Sequence, residues 1–176
     1  TADMVMHQTK NVDLVIKKKD ATTAEALKGA EFTVYKLKNG QWEPYTKAVW
    51  QDDYKEYMAL NLSEADTENG KFKVVETKNP AGYTGSWEKE FTATDEGVVT
   101  LTLDVTNTRK TGQITITKTD ENNKKLAGAL FDIKSAADIK SVGGTTLVVA
   151  GTVVDTVTTD ANGTATSKEL ELGNYI

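Results

Sequence analysis

The chain has 176 residues, 7 % aromatic and 27 % charged, with a net charge of −5. Both signs are interspersed, which excludes a basic phosphate-binding patch and with it nucleic acid as the main partner. There is no cysteine and a single histidine, His7, so disulfides, thiolate metal sites and a histidine-built zinc site are excluded; no metal or other cofactor is expected.

In chain order, residues 1–11 read as a linker or the end of a preceding domain, because 4–18 can be laid over 104–118 without a gap. Alternating apolar and polar runs then predict strands at 12–18, 32–37, 71–76, 98–107, 113–118, 130–134 and 153–159. Turn signals stand at Asn39-Gly40, Asn69-Gly70 and Asn162-Gly163. The stretch 51–66 reads as a helical turn or two, or as a long crossover loop. The longest apolar run, 145–154, is about half of the 20 or so residues a membrane span needs. No membrane span, signal peptide or anchor is therefore expected in this chain. Short strands separated by such turns point to an all-β, antiparallel sandwich or barrel.

The chain is also self-similar. Residues 14–36 resemble 114–134, aligning Lys18 with Lys118, Asp20 with Asp120, Leu27 with Leu126, Gly29 with Gly128 and Phe32 with Phe131. Residues 69–73 resemble 172–176. The reading is a tandem of domains, 12–109 complete and 113–176 truncated, with the boundary near 108–112.

Side chains alternate between the faces of a strand. Leu14, Ile16 and Lys18 share one face; Leu101, Leu103, Val105 and Asn107 share another; Phe72, Val74 and Glu76 a third. Each apolar series ends in a polar group: an amine, an amide and a carboxylic acid. Burying such groups alone costs several kcal/mol, roughly 3–5 for a broken buried pair. Together they suggest a reaction. An amine desolvated among aliphatic side chains is held neutral and nucleophilic. A carboxyl group in the same dry place keeps its proton and can donate it to an amide oxygen. Amine and amide then condense to a new amide and ammonia, favoured by fixed proximity.

These residues resemble the collagen-adhesin B-type (CnaB) domains of Gram-positive pilins and cell-wall-anchored adhesins. Lys-x-Asp is matched by Lys18-Lys19-Asp20 and Lys118-Thr119-Asp120. Leu-x-Gly-Ala-x-Phe is matched at 27–32 and 126–131, Glu-Thr-x-x-Pro-x-Gly-Tyr at 76–83, and the closing Asn-Thr by Asn107-Thr108. The resemblance implies tandem inverse immunoglobulin-like (CnaB-type) β-sandwich domains, the second incomplete. It also implies an isopeptide bond between Lys18 and Asn107, with Glu76 as the catalytic acid. Such a bond ties the first strand to the last, diverts tension around the fold and replaces a disulfide.

Lys118 is the candidate isopeptide lysine of the second domain. Aligning Gly173 with Gly70 puts its expected Glu three residues past Ile176. His7 lies where the alignment places the bond-forming Asn of a preceding domain, and an imidazole cannot serve as that electrophile. Lys10 reads as a solvated linker lysine in preference to a sortase acceptor.

The expected function is a structural stalk or shaft module of a secreted, cell-surface or cell-wall protein. Its partners are neighbouring domains or pilin subunits, and its only chemistry is self-directed and single-turnover, so it is not an enzyme in the usual sense. The rival is an adhesin module binding host extracellular matrix or glycan through the 42–66 region. Trp42, Trp50 and Trp87 bear on that rival, although packing against the sandwich is their preferred reading.

Overall fold

The computed structural model describes residues 7–176, and they divide into two compact units between Thr108 and Arg109. The first unit contains β1 (Lys10–Asp20), β2 (Glu31–Lys38), β3 (Gln41–Gln51), β4 (Glu56–Ser63), β5 (Lys71–Lys78), β6 (Tyr83–Thr84), β7 (Glu88–Thr92) and β8 (Gly97–Arg109). These pair in the order β6-β8-β1-β4-β3-β2-β5-β7.

Strand β3 is the corner of this ribbon. Residues up to Ala48 pair with β2, whereas Val49, Trp50 and Gln51 pair with β4. The ribbon thereby folds into two layers that share one core. Leu14, Ile16, Leu62 and Val105 enter it from one layer; Phe32, Val34, Phe72, Val74 and Phe91 enter from the other. Phe72 stacks on Phe91 with ring centroids 5.4 Å apart. Truncating a buried ring of this kind costs about 3–5 kcal/mol. The β2–β3 hairpin turns at Asn39 and Gly40, whose φ values of 52° and 72° give the primed turn that matches strand twist.

Three expectations are corrected. The stretch 51–66 is mostly strand: a turn at 52–55, then β4, then a single 3-10 turn at Glu64–Asp66 capped by Ser63. Its alternation is hidden by a bulge opposite Val12 and Leu14. The buried positions step from Tyr57 and Ala59 to Leu62, while Asn61 takes a positive φ and its N–H donates to Asp13. The 42–66 region consequently consists of most of β3, the whole of β4 and the turns that flank β4. Residues 10 and 11 are strand and not linker, because β1 finds a partner in Gly97 and Val98. The rest of the 1–11 expectation falls partly on residues 1–6, outside the described residues.

Nor is the sandwich wholly antiparallel. β1 and β8 run parallel through eleven register pairs, from Lys10↔Gly97 to Asp20↔Asn107.

The second unit holds β9 (Thr111–Gly112), β10 (Thr115–Thr117), β11 (Leu130–Lys134), β12 (Ile139–Lys140), β13 (Thr146–Val148), β14 (Val153–Thr158), β15 (Thr164–Thr166) and β16 (Leu170–Glu171). Its core is built on Ile133, Val157, Ala165 and Leu170. The repeat extends to individual hydrogen bonds. Leu27 N–H donates to Lys18 C=O, and Leu126 N–H to Lys118 C=O. Lys36 pairs with Phe72, and Ser135, its counterpart, pairs with Tyr175.

Candidate functional site

Lys18, Glu76 and Asn107 converge inside the first unit. Alternation along β1 and β8 turns Lys18 and Asn107 inward, and both are buried, at 0 % and 2 % exposure. Lys18 lies opposite Val105 in the parallel ladder, so Asn107 is its diagonal neighbour on the same face. Such diagonals span about 7–8 Å between backbones, within reach of a lysine. Glu76 enters from the facing layer on β5, in register with Phe32, and its side chain is also fully buried.

Lys18 Nζ lies 2.9 Å from Glu76 Oε2. The approach is close but its angles fall outside hydrogen-bonding range: all five side-chain nitrogen and oxygen atoms of the three residues lack a hydrogen-bond partner. Buried polar atoms are nearly always partnered. Five unpartnered polar atoms on three inward-facing residues of one core are therefore an exception that calls for a role. Burial pushes the Lys18 ammonium below the usual lysine value of 10.5, and the proximity of Glu76 opposes that shift. Burial is the larger influence, so the net shift is downward.

The surrounding walls are ordered by hydrogen bonds. Tyr57 Oη donates to Leu27 C=O at 2.8 Å and accepts from Ala30 N–H at 3.0 Å. Burial raises the Tyr57 phenol, the Ala30 N–H opposes this, and Glu76 adds to it. Phe32 meets Tyr57 and Trp87 edge-on, at 5.0 and 6.0 Å.

Three residues that face reasoning did not single out also border the site. Asp20 is buried and accepts from Thr22 N–H, Thr23 N–H and the Tyr83 hydroxyl. Gly85 lies so close to the Asn107 amide that a Cβ there would sit 2.5 Å from Nδ2. Their only sequence signals were the Asp of Lys-x-Asp and the Tyr that closes the 76–83 motif.

Other candidates are placed elsewhere. Lys118 is exposed, and its backbone serves the turn through Gly163 and Leu126. Lys10 opens β1, and its N–H donates to Glu64. His7 pairs with Glu96 at 2.7 Å. Trp50 and Trp87 pack against the core, and the Trp42 ring is covered by Lys73 Nζ at 4.9 Å.

A family model described as the SpaA prealbumin-like fold domain matches residues 12–109 and again 112–176. No curated protein matches. Among solved structures, the chain is similar to the Bacillus anthracis TIE protein, with 27 % identity and a TM-score of 0.61 over 94 % of this chain and 27 % of that one. It is also similar to a streptococcal ancillary pilin, at 20 % identity and a TM-score of 0.44 over 94 % and 52 %. The shaft pilin SpaA of Lactobacillus rhamnosus GG gives 18 % identity and a TM-score of 0.42 over 89 % and 81 %. The chain thus spans well under two thirds of the length of the first two.

Proposed function

We propose, on the premise that the chain belongs to the SpaA prealbumin-like fold domain family, that it is a structural stalk or shaft module of a Gram-positive surface pilin or adhesin. Its first unit closes itself with an amide bond between Lys18 and Asn107. The observation that carries this reading is the cluster of five unpartnered polar atoms on Lys18, Glu76 and Asn107.

The chemistry balances within the site. The neutral Lys18 Nζ attacks Asn107 Cγ, and the Nζ–Cγ bond forms. Glu76, 2.9 Å from Nζ, takes a proton from the amine and delivers it to Nδ2. The Cγ–Nδ2 bond breaks and ammonia leaves. Removal of the three groups from water strengthens each of these interactions, and their fixed placement replaces a bimolecular encounter. One turnover exhausts the reactants, so the chemistry is structural and not enzymatic.

The module acts at the cell surface or in the cell wall, joined to neighbouring domains or pilin subunits. Intact mass tests the bond: a deficit of about 17 Da, one ammonia, is expected from amine–amide condensation. In a protease digest, one branched peptide is expected to join Lys18 to Asn107. The full theoretical mass would overturn the proposal.

A further inference from the structure

The unpartnered amide of Asn107 has no hydrogen bond to orient it, so something else must fix where it points. The segment 79–87 lies against it. The backbone of Gly85 stands where any side chain would overlap Asn107 Nδ2, which makes it a wall behind the amide.

That wall is held on several sides. Tyr83 is buried, and its hydroxyl donates to Asp20 Oδ2 at 2.7 Å. Asp20 is two residues on from Lys18, in register with Asn107, and its other carboxylate oxygen is fixed by Thr22 N–H and Thr23 N–H. Ala21 N–H donates to Asn107 C=O at 2.9 Å. Asn79 Nδ2 donates to Gly85 C=O at 3.0 Å. At the far end of the segment Trp87 C=O accepts from the Glu76 N–H at 2.9 Å. One short segment is therefore tied to the strand of the amine and to the strand of the acid, and it lies against the amide itself.

We infer that Tyr83 and Gly85 are positioning residues for the Lys18–Asn107 condensation: Tyr83, through Asp20, anchors the segment on which Gly85 backs the Asn107 amide toward Lys18 and Glu76. The inference rests on the condensation proposed above. Neither residue exchanges a proton with the reacting atoms, so each acts on the rate through geometry alone. Small displacements of reacting groups are costly; a shift of about 1 Å can lower a rate on the order of a hundredfold.

The test follows ammonia loss by intact mass in protein made in a short isotope pulse, over a series of pH values. Tyr83→Phe keeps the ring and removes the anchor. It is expected to lower the plateau rate on the order of tenfold while leaving the midpoint of the pH profile where it was. Gly85→Ala is expected to be slower still. Tyr83→Phe is also made in a Lys18→Ala background, where no bond can form, and there it is expected to keep a single cooperative melt.

An unchanged rate in Tyr83→Phe overturns the inference. So does a shifted midpoint, which would make Tyr83 part of the proton transfer, or a lost cooperative melt, which would make its role one of folding. If the unsubstituted chain loses no ammonia at all, the condensation itself is wrong, a result distinct from each of these.

Discussion

Glu76→Gln removes the proposed proton shuttle while preserving side-chain volume, and its effect can be worked from the structure. Without the Lys18–Asn107 bond, a closed loop of about 90 residues opens, and loop-closure entropy for that length is about 4–5 kcal/mol. A domain near 100 residues loses roughly 4–8 °C per kcal/mol, so the first unit is expected to melt roughly 20–35 °C lower. Losing the buried 2.9 Å contact to Lys18 adds to this, so the loop-closure figure is a lower bound. Calorimetry reads the melting point, and intact mass on the same sample reads the bond. The variant is expected to gain the ammonia's mass and lose the stability together. Retention of the mass deficit would refute the role of Glu76. Recovery of the full mass with almost no change in melting would refute the loop-closure argument.

Other outcomes separate the remaining contributions. Lys18→Met abolishes the bond but fills the same apolar space, whereas Lys18→Ala leaves a cavity; denaturant titration is expected to place the alanine variant about 2–3 kcal/mol lower. In Asn107→Ala, which keeps Lys18 but cannot react, the folded-state lysine value is depressed by burial. The unfolded chain then binds more protons between the depressed value and 10.5, so stability measured by denaturant is expected to rise with pH across that window and fall as pH drops through it. Tyr57→Phe strands the Ala30 N–H and the Leu27 C=O, and a loss of about 1–3 kcal/mol is expected in the same titration. A protease site inserted at the exposed Asn39–Gly40 turn tests the connection directly. After cutting, the two pieces are expected to migrate as one branched species on a denaturing gel in the parent chain and to separate in Glu76→Gln.

The inward faces of β1, β5 and β8 were legible because each alternates cleanly, so the sequence alone puts Lys18, Glu76 and Asn107 on them. The tandem repeat was legible too; that it extends to the Lys36↔Phe72 and Ser135↔Tyr175 pairings is visible only in the structure. β3 and β4 were not. β3 changes partner along its length and carries Pro44 and several exposed side chains, so neither face repeats with period two. β4 loses its period at the Asn61 bulge. Lys118 shows the limit of the alignment: its apolar neighbours Ile114 and Ile116 join the core, yet Lys118 itself is exposed. The contributions of Tyr83 and Gly85 depend on how one segment crosses between layers, which no local periodicity records.

The parallel ladder of β1 and β8 has a consequence for length. With the two strands parallel, the start of β1 and the end of β8 lie at opposite poles of the ladder, so pulling on them slides all eleven pairs at once and cannot peel them singly. If that ladder gave way in an unbonded chain, the 90 or so residues between Lys18 and Asn107 would extend to about 300 Å. A bond between Lys18 and Asn107 would hold that slack back and make the module a spacer of fixed contour.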